Sequence, residues 1–203
     1  MKEKINVSSS PNEGQNYDKI APEFAAMRND FSTEKKYLDL LKNYLKPGDE
    51  ILDLGCGHGF LASYLSEQQF KVIGIDASEK LLGIAKRNHP SMNFIFGDIR
   101  TVEINKTFDA VLEWWCLFHL PKEDQLKMFP RFARWLKPNG ILEFTTGGSE
   151  YEGIHTDMLN QPLLFCSHDT WVYEKALKEN NFEVLLKESD QKDHLAWIAG
   201  KTI

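Results

Sequence analysis

The chain has 203 residues, enough for one domain with a real core and too few for two. Its 27% charged and 42% hydrophobic residues are ordinary for a soluble protein. A net charge of −6 with no Lys/Arg-rich block argues against nucleic acid as a partner and in favour of a small molecule. No stretch is long and apolar enough to span a membrane. Cys56, Cys116 and Cys166 form no C-x-x-C pair and read as reduced thiols, which places the chain in the cytoplasm.

In chain order, residues 1–14 are polar and lack the apolar core of a signal peptide, so they read as a flexible N-terminal segment. Ile20, Phe24, Met27 and Phe31 then recur at helical steps, which predicts an amphipathic helix over Tyr17–Phe31 with Pro22 near its first turn. Tyr37, Leu38, Leu41 and Leu45 predict a second helix in Thr33–Leu45, ended by Pro47-Gly48. From Glu50 onward strand and helix alternate. Expected strands are Ile51–Leu54, Lys71–Ile75, Asn93–Phe96, Phe108–Glu113 and Gly140–Thr145. Expected helices are Phe60–Glu67, Glu79–Asn88, one within Lys122–Leu136 broken or kinked at Pro130, and Thr170–Glu179. Such alternation implies a doubly wound α/β sheet of parallel strands. Phe182–Lys187 and His194–Ala199 are separated by a gap that permits only a hairpin, so this seven-stranded, mostly parallel sheet ends in an antiparallel C-terminal β-hairpin. Gly147–Asp169 reads as a loop, with His155 and His168 as further candidates for the acceptor side and His155 the more exposed; Asp193 and His194 read as sheet-edge residues.

The first strand runs into Gly55, Gly57 and Gly59, a turn at which backbone can take left-handed dihedrals and approach a ligand closely. The spacing is not that of a dinucleotide fingerprint, since position 60 is Phe where a glycine would be needed. Asp53 would also repel a pyrophosphate within ~5 Å by about 1–3 kcal/mol. Acids stand at or beside four successive strand ends: Asp53, Asp76, Asp98 and Glu113. A crevice edged by carboxylates suits a cationic ligand rich in hydroxyl and amino donors. Taken singly, Asp76 and Asp98 could instead cap a helix and a turn. No His positions have paired metal-ligand spacing, so no metal site is expected.

The run D-x-G-x-G-x-G in Ile51–Phe60 resembles motif I of the class I methyltransferases that use S-adenosylmethionine, and the strand pattern from Glu50 to Lys201 is similar to their seven-stranded, Rossmann-like fold. The resemblance implies S-adenosyl-L-methionine as cofactor, S-adenosyl-L-homocysteine as product and a small-molecule acceptor. It divides residues 15–203 into an N-terminal helical lid, 15–47, and a core, 50–201. In the lid, Tyr17 and Arg28 would close over the methionine end of the cofactor. Asp53, Gly55 and Gly57 would lie along the methionine portion, Asp76 with Ala77 would take the ribose diol, and Asp98 with Ile99 would receive the adenine edge. Glu113 and Trp114 would sit near the sulfonium, with one of Trp114 and Trp115 in the core and the other facing the pocket. His119 is the candidate catalytic base, with a structural histidine as the alternative. Leu136–Thr146 resembles the family's turn and fifth strand, with Asn139 tolerating the left-handed position usually held by Gly. A module that binds the cofactor without turnover, and a nicotinamide oxidoreductase, are the alternative functions. The acceptor and the oligomeric state stay open at this level.

Overall fold

The structure, a computed structural model, describes residues 13–28, 30, 32–189 and 194–202. Most of the segment expected to be flexible, together with Phe31 and Asp193, lies outside them. Nine strands and six α-helices are present among the described residues. Seven strands form one sheet in the order β3-β2-β1-β4-β5-β9-β8. These are β1 (Glu50–Leu54), β2 (Lys71–Asp76), β3 (Asn93–Phe96), β4 (Phe108–Glu113), β5 (Leu136–Gly147), β8 (Phe182–Ser189) and β9 (His194–Lys201). All neighbours are parallel except those of β9, which runs antiparallel to both β5 and β8. The C-terminal hairpin therefore forms as expected, but β9 lies inside the sheet. His194 begins an internal strand and is not an edge residue.

Alternation along each strand sends side chains to two cores, one on each face. Leu52, Val111, Phe144 and Trp197 meet α5 (Lys122–Trp135) and α6 (Thr170–Glu179). Ile51, Leu112, Ile141 and Ile198 meet α2 (Ser32–Leu41), α3 (Phe60–Glu67) and α4 (Glu79–Asn88). Helix α5 runs through Pro130, so of the expected kink or break the break does not form. Met128, Phe129, Phe132 and Trp135 are all buried in the core, whereas Pro130 is exposed, so water can satisfy the carbonyl it leaves unpaired. Burial of four large side chains, at about 1.5–3 kcal/mol each, outweighs the roughly 3 kcal/mol cost of an internal proline.

Two further departures concern the ends of the chain's functional half. Helix α1 is Glu13–Met27, starting four residues before the expected Tyr17 and leaving Pro22 in mid-helix on an exposed face. Its first residue is fixed from outside, because the Glu13 carboxylate accepts the Leu164 N–H at 3.1 Å. The expected loop after β5 contains a separate antiparallel pair, β6 (Tyr151–His155) and β7 (Leu163–Ser167). In β5, Asn139 has φ 61°, the left-handed conformation anticipated for it.

Candidate functional site

Strand order reverses between β1 and β4, and a cavity of about 350 Å³ opens outside the carboxyl ends of the strands there. The glycine turn forms one wall. Gly55, Gly57 and Gly59 all have positive φ, at 73°, 55° and 82°. Each is needed for a different reason. A Cβ on Gly55 would lie 2.5 Å from the Cys116 Cβ, and one on Gly59 would lie 2.8 Å from the Phe94 ring. A Cβ on Gly57 would have nothing within 4 Å, so this glycine leaves bare backbone beside the cavity that it lines. The Gly57 N–H donates to Asp76 Oδ2 at 2.7 Å, and the Ser78 N–H to Asp76 Oδ1 at 2.7 Å. Burial pushes the Asp76 carboxyl up to about 6 against the pull of these two donors. The helix cap proper is Ser78, whose hydroxyl accepts the Leu81 N–H.

Ten of the twelve expected site residues line this cavity: Tyr17, Arg28, Gly55, Gly57, Asp76, Ala77, Asp98, Ile99, Trp114 and His119. Asp53 and Glu113 do not. Asp53 is buried within β1, its Oδ2 has no hydrogen-bond partner among the described residues, and burial with the nearby Asp76 charge pushes its carboxyl up to about 7. Glu113 is wholly buried and accepts the Cys116, Leu117 and Thr145 N–H groups, which ties the end of β4 to β5. Asp98 lines the cavity but carries a partner that strand-end reasoning passed over. Arg100, two residues on, binds both its oxygens, with Nη2 to Oδ2 at 2.5 Å. Burial would raise the Asp98 carboxyl, yet the Arg100 hydrogen bonds hold it below the usual range. His155 and His168 are outside the cavity, bonded to Tyr151 and to the Lys122 carbonyl. Among the described residues no group of three His, Cys, Asp or Glu could hold a metal.

His119 ends a single 3-10 turn, Leu117–His119, on the far wall. Its Nδ1 is 2.7 Å from the Leu164 carbonyl oxygen, and a carbonyl can only accept, so Nδ1 carries the proton. Nε2 is then a lone pair, and the Tyr17 hydroxyl donates to it across 3.0 Å. Burial lowers the imidazole to about 4 and raises the Tyr17 phenol above its ordinary value. The pair is neutral, and its two hydrogen bonds fix one tautomer. Trp114 packs against Tyr37 with ring centroids 5.1 Å apart, while Trp115, at φ 58°, lies under the Arg28 guanidinium at 4.1 Å. Arg28 also binds Glu34 at 2.5 Å.

Helix α1 spans the cavity mouth between these walls. Asp18 accepts the Ser78 hydroxyl at 2.6 Å and the Lys80 N–H at 2.9 Å on the glycine-turn side, while Glu13 and Tyr17 reach Leu164 and His119 on the other. Gly14 permits this seat, since a Cβ there would stand 2.2 Å from the Ala77 carbonyl oxygen. The substitution Gly14→Ala is expected to lift α1 and speed amide exchange along it by about tenfold or more, in line with the roughly 1–3 kcal/mol cost of overpacking. Exchange unchanged from the wild type would show that the seat tolerates a methyl group. Glu13, Gly14 and Asp18 escaped sequence reasoning because the helix start was placed after two of them.

Residues 51–140, from β1 into β5, match the family model described as "Methyltransferase domain". Over 185 residues the chain is 28% identical to phosphoethanolamine N-methyltransferase 3 of Arabidopsis thaliana, covering 85% of this chain and 36% of that protein. It is 36% identical over 114 residues to the malonyl-[acyl-carrier protein] O-methyltransferase of Halalkalibacterium halodurans, covering 49% of this chain and 40% of that one. The chain thus spans well under half the length of these two curated relatives. Among solved structures it is similar to 1,6-didemethyltoxoflavin-N1-methyltransferase of Burkholderia thailandensis with bound 1,6-didemethyltoxoflavin and S-adenosylhomocysteine, at TM-score 0.78 and 16% identity, covering 99% of this chain and 94% of that one. At such identity the likeness is one of fold. The chain thus shares its fold with that structure, through a sheet ordered β3-β2-β1-β4-β5-β9-β8, and its residues 51–140 carry a sequence similar to a methyltransferase domain.

Proposed function

We propose that this chain transfers a methyl group from S-adenosylmethionine to a small-molecule acceptor, with Tyr17 and His119 taking the acceptor's proton. The observation that carries the reading is the neutral Tyr17–His119 pair at 3.0 Å, facing Gly57 and Asp76 across one cavity. Bound S-adenosylmethionine would supply a methyl group activated by a sulfonium. The donor and acceptor set of the cavity fits such a molecule. Each Asp76 oxygen accepts one backbone N–H and has a further lone pair for a vicinal diol. Asp98 and Ile99 would receive the adenine edge, with Arg100 orienting Asp98. The bare backbone at Gly57, beside Gly55 on the cavity wall, would admit the methionine portion. Glu113 acts from beneath, by accepting the N–H groups that lead into the His119 segment.

Methyl transfer is a displacement whose leaving group needs no acid, so the protein's work is alignment, exclusion of water and removal of one proton. Helix α1 covers the mouth and brings Tyr17 to His119. His119 stays unprotonated through neutral pH and can receive a proton at Nε2. No helix among the described residues is long and apolar enough to cross a membrane, and all three cysteines are free thiols, which supports a cytosolic setting.

Calorimetric titration with S-adenosylmethionine and S-adenosylhomocysteine tests the cofactor. Asp76→Ala is expected to weaken both by about 10- to 100-fold, the equivalent of roughly 1.5–3 kcal/mol for lost hydrogen bonds to a charged group. Asp76→Asn, which keeps one acceptor for the turn, separates ligand loss from turn damage through its melting temperature. Absence of binding by a folded wild type would return the assignment to one of fold alone.

A further inference from the structure

The half of the cavity around His119 is built differently from the glycine-turn half. Trp115, Phe118, His119, Phe165, Met158 and His194 line it, contributed by the ends of β4 and β9, the turn after β4, and the β6–β7 segment. The His119 ring meets Phe118 and Phe165 edge-on, with centroids 4.8 Å away in each case. Phe118 is nearly parallel to Phe165 at 5.3 Å and to His194 at 5.5 Å, so broad ring faces are spent on one another. The Trp115 face carries Arg28 at 4.1 Å. What remains for a ligand is chiefly ring edges, which carry partial positive charge and prefer the face of another π-system.

Charge in the cavity excludes the common alternatives. Among the described residues two arginines line it, and both are in ion pairs: Arg28 with Glu34 at 2.5 Å, and Arg100 with Asp98 at 2.5 Å and Asp124 at 3.3 Å. In the half around His119, where Arg28 is already paired with Glu34, the phosphate or carboxylate of an acceptor would be buried beside no further Lys or Arg of the lining among the described residues. An aliphatic ammonium in this half would find the Trp115 face taken by Arg28 and the Phe118 faces stacked on other rings.

Resting on the methyltransferase reading above, we propose that the acceptor is an uncharged, planar aromatic molecule bearing a ring N–H or a phenolic O–H, seated by Phe118 and Phe165 against Tyr17 and His119. The proton leaves that N–H or O–H for the Tyr17–His119 pair as the new bond to the methyl carbon forms and the carbon–sulfur bond breaks, with the bonding pair returning to sulfur.

The test is titration of protein already loaded with S-adenosylhomocysteine, using benzimidazole and catechol against phosphoethanolamine and ethanolamine. The aromatic probes should bind at least about tenfold tighter than the aliphatic ones. Phe165→Ala, at the half-buried position of β7, should weaken them by about tenfold while S-adenosylhomocysteine affinity holds. Tighter binding of phosphoethanolamine, binding of neither aromatic probe, or indifference to Phe165→Ala would overturn the acceptor class with the cofactor reading intact. Failure of S-adenosylhomocysteine to bind the wild type would remove the methyltransferase reading, and the acceptor class with it.

Discussion

Replacing His119 with alanine is expected to lower kcat by about 10²–10⁴-fold, the range for a positioned general base, while S-adenosylhomocysteine affinity stays close to that of the wild type. The asymmetry follows from placement. His119 contacts Tyr17 and Leu164 on the far wall, whereas Gly57 and Asp76 stand on the other. Tyr17→Phe keeps the ring packing against Phe24 and His119 and deletes only the hydroxyl. If the proton passes through the phenol to Nε2, the two residues act as a unit, and the double variant loses no more than the worse single one. The pH profile gives a second reading. An ordinary imidazole would impose an acid limb near 6.5, but burial moves His119 to about 4, so His119 should impose no limb between pH 8 and about pH 5, and a fall near pH 6 would belong to Asp76. An acid limb near 6.5 that persists in His119→Ala would belong to another group. A rate for His119→Ala within a few fold of the wild type, in a variant that melts normally, would leave His119 with only its structural bond to Leu164.

The same imidazole sets a stability trend. Its folded value lies below its unfolded one, so the unfolded chain binds the extra proton as pH falls below about 6.5, and stability is lost from there towards pH 4. Burial moves Asp53, Glu113 and Glu143 the other way, to about 7, 8 and 8. The native state holds those protons above the unfolded carboxyl range, so their contribution is full in acid and declines as pH rises through neutrality. Glu143 is the starkest case, with neither oxygen hydrogen-bonded among the described residues.

Much of this architecture was legible because the signals were local and repeated. The apolar runs of β1, β2 and β4, the triple glycine turn and the Ser78 cap each depend on a few adjacent residues, and α3, α4 and α6 have the bounds their patterns predict. Asp76 could be set beside the cavity because strand ends in an open α/β sheet converge on one crevice, and His119, named through the family resemblance, lines the same cavity. What stayed hidden depended on distant partners. Asp53 and Glu113 occupy strand ends like Asp76, but side chains alternate along a strand, and theirs turn into the molecule. The pairing of Arg100 with Asp98 needed the turn after β3. The β6–β7 pair has Gly153, Glu152 and two half-exposed apolar residues in one strand, so no clean period of two announces it; its register is set by pairing with Leu163–Ser167.

Glu113→Ala is expected to cost about 3–5 kcal/mol of folding stability, because it leaves buried N–H donors unsatisfied at about 1–3 kcal/mol each. Three backbone N–H groups, those of Cys116, Leu117 and Thr145, point at this one carboxyl. Two belong to the segment that leads into the His119 turn, so the loss should be local before it is global, appearing first as faster exchange of the Cys116 and Leu117 amides. Glu113→Gln separates shape from charge. Its carbonyl oxygen can keep the Cys116 and Leu117 donors, but its amide would turn N–H towards the Thr145 N–H, so a smaller loss of about 1–2 kcal/mol is expected. Glutamine also removes a titrating group whose proton the native state retains up to about pH 8. The fall in stability between pH 5 and pH 8 should therefore be shallower in Glu113→Gln than in the wild type, measured by denaturant titration at each pH. An unchanged slope would mean that the Glu113 carboxyl is ionised throughout, held so by its three donors, and that the alkaline loss belongs to Asp53 and Glu143.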